Sequence, residues 1–314
     1  MAIQIACHCA AVARSADPWR RRADTRARQD RRPQWHGRRR TRLGTLCGTQ
    51  SPPIRKAILV IRPNTLKAKL LNGATVTGTL AMDLRAPAYV HLLADAGFDS
   101  IFFDLEHGVN DLPMVADLIG TTRLIGITPI VRVPDLRYGD IARLLDSGAQ
   151  GVMFPRIDTA AQVEEAIRHM KYPPRGDRGA ASVRGATDYR EVPPQTLISQ
   201  MNNETLVIIQ IERAQAIANL DAIASVPDVD VLLVGPYDLA IALGAASTTD
   251  PVVVAAMDKV VAAGKRHNVA TGTHASDPAV LRGWRDKGMR MMLCASELRF
   301  LSSGAKAMLN GLNA

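Results

Sequence analysis

Two carboxylates, Glu212 and Asp238, stand at matching places in consecutive repeats of one pattern. Leu206-Val207-Ile208-Ile209-Gln210-Ile211 is an apolar, β-branched run that reads as a buried strand and stops at Glu212. Arg213 to Ser225 follows with apolar residues at helical spacing. Val231-Leu232-Leu233-Val234 is then a second buried strand, closing in Gly235-Pro236-Tyr237-Asp238. A strand–helix–strand unit makes the two strands parallel, with neighbours about 4.8 Å apart. Both acids therefore leave the same sheet edge. Alone, either would read as a helix cap or a turn residue. Together they repel unless a proton or a cation lies between them, and a divalent ion with oxygen ligands is the economical answer.

Other strand ends add to this set. One run closes in Asp104-Leu105-Glu106-His107, another in Val131-Arg132, and Gln210 precedes Glu212 by two residues. An imidazole, a guanidinium and a carboxylate pair at one mouth could enolise a 2-oxo acid. A divalent ion held by Glu212 and Asp238 would polarise the keto oxygen, Arg132 would face the developing enolate, and His107 would move a proton. That chemistry covers aldol cleavage or addition and decarboxylation of a 2-oxo diacid. A Schiff-base route needs a lysine at a strand end, and none of the strand runs offers one.

The elements that must position these residues run from about residue 58. Strand-like runs fall at Val76–Ala81, Ser100–Leu105, Ile127–Val133, Gly151–Pro155, Leu206–Ile211, Val231–Gly235, Val269–Thr273 and Met289–Ala295. Helical patterns follow, among them Ala86–Ala96, Leu112–Leu124, Tyr138–Ser147, Ala160–Met170 and Val252–His267, and Thr65–Leu71 is a short helix before the first strand. Eight such alternations over about 250 residues are the signature of an α/β fold of the (β/α)8 TIM-barrel type. A doubly wound sheet is disfavoured because no Gly-x-Gly-x-x-Gly follows the first strand. The Gly-, Pro- and Arg-rich segment Lys171–Asn203 breaks the rhythm and is expected as a long ordered loop on the catalytic face.

Charge and cysteine set the surroundings. The chain has 314 residues and a net charge of +9, but residues 1–56 carry 14 Lys and Arg against 3 Asp, leaving 25 bases against 27 acids in the remainder. The basicity belongs to the amino-terminal segment, and the body has no nucleic-acid footprint. Residues 1–57 are expected to form a disordered basic extension, and 58–314 the barrel domain. The extension could be a targeting peptide, a basic arm, or the product of a start assigned too far upstream, since no methionine lies between Met1 and Met82. Cys294 is the sole cysteine of the body, so a disulfide framework is excluded and a reducing, cytoplasmic setting is expected. No apolar run approaches the roughly 20 residues of a membrane span.

Gly97-Phe98-Asp99, Asp104-x-Glu106-His107, Val131-Arg132, Leu144-Leu145-Asp146-x-Gly148, Tyr172-Pro173-Pro174-x-Gly176-x-Arg178-Gly179, Gln210-x-Glu212 and Gly235-Pro236-x-Asp238-Leu239 resemble, over residues 62–314, the HpcH/HpaI family of class II pyruvate aldolases. The resemblance implies a barrel holding Mg2+, Mn2+ or Co2+ at Glu212 and Asp238. It also implies that Arg132 contacts a pyruvate enolate, that Gln210 lines the site, and that backbone amides by Gly235 and Pro236 hold the substrate carboxylate. By the same resemblance His107 is the base-side residue, with Asp146 as its carboxylate partner and Asp104 nearby. Its partners would be pyruvate or oxaloacetate and an aldehyde. The assembly implied is a homo-oligomer, a trimer of dimers that exchanges a last helix corresponding to Glu297–Leu312. The family's type aldolases carry a tryptophan at the end of the first strand, where this chain reads Thr79 to Arg85, so Arg85 is a candidate for recognising an acidic acceptor. The runner-up within the family is oxaloacetate decarboxylation or macrophomate-synthase-like enolate chemistry. The alternative from another class is an idle barrel scaffold whose basic tail binds nucleic acid.

Overall fold

The computed structural model describes residues 61–314; the expected extension at 1–57 lies outside the described residues. Eight parallel strands close into a barrel in sequence order. They are β1 (Val76–Ala81), β2 (Ser100–Asp104), β3 (Thr128–Arg132), β4 (Gly151–Phe154), β5 (Leu206–Ile211), β6 (Val231–Val234), β7 (Ala270–Ala275) and β8 (Met291–Ser296).

Side chains alternate across a strand, so one parity of each strand faces the barrel axis. Leu80, Phe102, Ile130, Met153, Ile208, Leu233, Met291 and Leu293 form the inner core. Their neighbours Ile101, Phe103, Val131, Val152, Ile209 and Leu232 face outward into the larger core beneath the helices. Continuing the inward parity to the carboxyl ends reaches Asp104, Arg132, Gln210 and His274. The apolar layers thus fix which polar residues line the mouth.

The other end is closed. Helix Thr65–Leu71 plugs the amino ends of the strands, with Leu66 and Leu70 inserted into the inner core. Asn64 caps it, its side chain accepting from the Lys67 amide at 3.0 Å while donating to the carbonyls of Gln150 and Glu204 at 2.8 Å.

Two expectations need correcting. The region Arg213 to Ser225 is two short helices, Ala214–Ala218 and Leu220–Ala224, broken at Asn219. The Asn219 side chain donates to the Asp158 carbonyl at 2.7 Å, a long-range bond that ties the break to the loop after β4. The segment Lys171–Asn203 also does not serve the mouth. It begins where helix Ala160–Met170 ends, at the amino side of the strands, and carries a further helix at Pro194–Glu204. Lys171 is fully buried there, its ammonium donating to Asn202 O at 2.7 Å and to Thr205 O and Oγ1 at 2.9 Å. Among the described residues no helix is long and apolar enough to cross a membrane.

Candidate active site

The mouth is built from the last inward residue of each strand and the turn that follows it. In the β2–β3 register Asp104 lies opposite Arg132. Asp104 is wholly buried and Arg132 is 7 % exposed, so an unpaired charge at either place would be costly. They meet side-on: Arg132 Nε donates to Asp104 Oδ1 at 2.8 Å and Nη2 to Oδ2. Burial alone would lower the Arg132 pKa, but the bonds and charge of Asp104 override it and hold the guanidinium more firmly protonated. Asp104 also accepts from the amides of Glu106 at 3.0 Å and His107 at 3.4 Å, which folds the turn after β2 over the mouth.

That turn delivers Glu106, part of the Asp104-x-Glu106-His107 motif but not among the expected site residues. Glu106 sits 3.3 Å from Arg132 Nη1, 3.3 Å from Arg156 Nε and 3.9 Å from His107 Nε2. Burial raises its pKa, partly offset by Arg132, His107 and Arg156, and its Oε2 is buried with no hydrogen-bond partner among the described residues. An acid two residues beyond an inward Asp104 continues the same parity, a signal the sequence did carry.

Glu212 and Asp238 emerge side by side. Ile211 pairs with Val234 in the β5–β6 register, so Glu212 and Gly235 are the next residues out, and Asp238 is in the first turn of helix Pro236–Ala242. Gly235 leaves room for two buried side-chain ends. A Cβ there would lie 2.7 Å from Gln210 Nε2 and 2.8 Å from Glu212 Oε2. Glu212 is 3 % exposed; Oε1 accepts from the Arg156 amide at 2.7 Å and Oε2 from the Gln210 amide group. Burial pushes its pKa up to about 7, and the charges of Glu106 and Asp238 push the same way against the Arg156 amide.

The charge count bears on a cation. Asp104, Glu106, Glu212 and Asp238 face Arg132 and Arg156, four carboxylates against two guanidiniums. A dication would balance that excess, and Gln210 Oε1 is a further buried oxygen without a hydrogen-bond partner. Hard oxygen donors of this kind suit Mg2+ or Mn2+. Among the described residues no three His, Cys, Asp or Glu side chains converge at metal-binding spacing. Glu212 and Asp238 are the two of these residues that could hold such an ion as a pair.

A cavity of about 250 Å3 opens beside these groups, lined by His107, Arg132, Gln210, Gly235, Pro236, Asp238 and His274 among others. His107, 59 % exposed, stands at its rim. His274 lies in its wall, because β7 extends two residues beyond the expected Thr273. Two expected residues are elsewhere. Asp146 is in the last turn of helix Tyr138–Ser147 and accepts from Arg178 at 2.6 Å, so within this chain it is no partner of His107. Arg85 is exposed and donates to the Val109 carbonyl at 3.2 Å, outside the residues that line the cavity. The loop after β1 is fixed instead by Glu297, whose Oε1 accepts from the amides of Met82 and Asp83 at 2.7 Å.

Residues 80–303 match the family described as HpcH/HpaI aldolase/citrate lyase. A hydroxypyruvate/pyruvate aldolase of Paraburkholderia phytofirmans is 33 % identical over 248 residues, covering 76 % of this chain and 93 % of the relative. The crystal structure of an HpcH/HpaI aldolase/citrate lyase family protein from Burkholderia cenocepacia superposes with a TM-score of 0.75 at 32 % identity, covering 80 % of this chain and 100 % of the other. Macrophomate synthase superposes with a TM-score of 0.72 at 25 % identity, over 83 % of this chain and 93 % of the other.

Proposed function

Because the chain belongs to the HpcH/HpaI aldolase/citrate lyase family, we propose that it is a metal-dependent carbon–carbon lyase that makes or breaks 4-hydroxy-2-oxo acids through a pyruvate enolate. The observation that carries this reading is the acid excess at the mouth: Glu212, held near neutrality in pKa, beside Asp238 and facing a clamped Arg132. Glu212 and Asp238 are the residues that would hold a divalent cation. Bound there, the cation supplies Lewis acidity toward the keto and carboxylate oxygens of a 2-oxo acid.

The chain's own groups account for the rest. Asp104 locks Arg132 in one orientation at the cavity wall, with Nη1 3.3 Å from Glu106, so the guanidinium need not reorganise when enolate charge develops. The first-turn amides after Pro236 are free to receive the substrate carboxylate. His107, at the rim, carries a proton between the acceptor oxygen and solvent. Leu80, Met153, Leu233 and Leu293 form an apolar floor that limits water at the reacting carbon. Exposed Leu301, Met308, Leu309 and Leu312 on helix Glu297–Leu312 support self-association into a homo-oligomer.

The test is an aldol assay of purified protein with pyruvate and a panel of aldehydes, in EDTA and after adding Mg2+, Mn2+ or Co2+. Activity lost in chelator and restored by metal is expected. Full activity in chelator, or inactivation by borohydride in the presence of pyruvate, would refute the reading. Oxaloacetate decarboxylation measured in parallel addresses the second reading, which the likeness to macrophomate synthase favours.

A further inference from the structure

His274 is the inward residue of β7, four strands from β3 in an eight-stranded closed barrel, and so lies across the axis from Arg132. Both line the same cavity. Its Nε2 is 3.2 Å from the carbonyl oxygen of Ala295. A carbonyl only accepts, so Nε2 carries the hydrogen, and in a neutral ring Nδ1 is then a bare acceptor. Burial lowers the pKa of this imidazole, the bond to Ala295 opposes it and the charge of Arg132 lowers it further, so the neutral ring is favoured. Nδ1 has no hydrogen-bond partner among the described residues. In the β7–β8 register His274 lies opposite Leu293, and Ala295 and Ser276 line the same cavity. An acceptor without a partner on a residue that lines the cavity rewards a ligand that brings a donor.

We propose that His274 is a specificity-determining residue that accepts a hydrogen bond, through Nδ1, from a hydroxyl group of the substrate. The chemical class selected is a small carbonyl compound hydroxylated next to its carbonyl, over its deoxy counterpart. This rests on the enolate reading above. The hydroxyl can come from the nucleophile, as in hydroxypyruvate, or from the electrophile, as in glycolaldehyde, and two arms of one experiment separate these sources.

Two variants divide the functions of the ring. Asparagine places its Oδ1 where Nδ1 stands, keeping the acceptor while giving up the bond to Ala295. Glutamine places its Nε2 where the histidine Nε2 stands, keeping that bond and losing the acceptor. With Mn2+-loaded enzyme, kcat/KM is measured for hydroxypyruvate against pyruvate with one aldehyde, and for glycolaldehyde against acetaldehyde with pyruvate. In one arm the hydroxylated-to-deoxy ratio should fall about tenfold in His274→Gln and stay within about threefold of the parent in His274→Asn, as expected for one neutral hydrogen bond. The arm that responds identifies which reactant carries the hydroxyl. Ratios unchanged in His274→Gln in both arms, or a collapse in His274→Asn alone, would overturn the proposal and leave His274 a purely structural residue. Deuterium exchange into the pyruvate methyl by the parent enzyme, measured without aldehyde, separates the two readings. If it is absent, the enolate reading fails and takes this one with it; if it is present, a negative ratio test counts against His274 alone.

Discussion

The two ends of the barrel bury charge in opposite ways. At the amino ends of the strands the buried cations are held mainly by partners within the chain, although Nε and Nη1 of Arg178 have none among the described residues. Lys171 has three acceptors for three N–H bonds, Arg123 donates to Gly148 O at 3.1 Å and to Asp188 at 3.1 Å, and Arg178 pairs with Asp146 and stacks over the Tyr172 ring. At the carboxyl ends the charges are left open. Among the described residues Gln210 Oε1 has no hydrogen-bond partner, and Glu106 Oε2 has the Arg132 charge at 3.3 Å but no hydrogen bond. Burial pushes Glu212 toward the neutral form, as it does Lys171 at the other end. Closed sets make a fold; an open set of acids is costly unless something binds there.

The largest expected effect comes from breaking the Asp104–Arg132 pair at the mouth. Arg132→Ala removes the donor facing the enolate and should lower kcat by about 10²–10³, as for loss of an oxyanion donor. It also strands buried Asp104, so stability should fall by about 3 kcal/mol. A near-parental rate of pyruvate methyl exchange would show that Arg132 has no such role. Next in size, Lys171→Ala at the closed end should cost on the order of 3 kcal/mol in denaturant unfolding, through the buried acceptors it leaves. Its kcat per folded molecule should remain within twofold; a large drop would mean the ends are coupled.

The open end should also titrate. The Glu212 pKa is raised from an unfolded value of 4.5 to about 7, so the native state holds a proton there that the unfolded chain has released. In metal-free protein the resulting stability is fully present below pH 4.5 and is lost as pH rises through about 7, on the order of 3 kcal/mol. Glu212→Gln should flatten that part of the profile, and a slope unchanged in this variant would assign the effect to another group. The smallest effect is expected for Arg85→Ala. This side chain is exposed and bonded to one carbonyl, so stability should shift by less than about 0.5 kcal/mol. KM for an acidic aldehyde should stay within twofold; a tenfold rise would return Arg85 to the acceptor site.

The contrast also explains what could be read from the sequence. Apolar strand runs and helical periods are local, and they placed Tyr138–Ser147, Ala160–Met170 and β5 at their observed bounds. That Glu212, Asp238, Arg132 and Gln210 lie at one mouth is legible because strand ends in a barrel share it. The segment after Met170 was placed at the wrong end because its Gly, Pro and Arg content signals a loop without saying which end it serves. Helix Pro194–Glu204 escaped notice because its polar sequence has little apolar period and begins in Pro193-Pro194. Asp146 had only a motif behind it; its position in the last turn of a helix, which runs back to the amino side, was the stronger clue. His274 was hidden by ending β7 two residues early, which removed it from the inward parity.

The central claim is that Glu212 and Asp238 together form the seat of a divalent ion. Mn2+ binding to purified, metal-stripped protein, followed by the electron paramagnetic resonance of the free ion, tests it most directly. One bound Mn2+ per chain is expected in the parent protein and none in Glu212→Gln or Asp238→Asn. Undiminished stoichiometry and affinity in both variants, with circular dichroism showing them folded, would contradict the account.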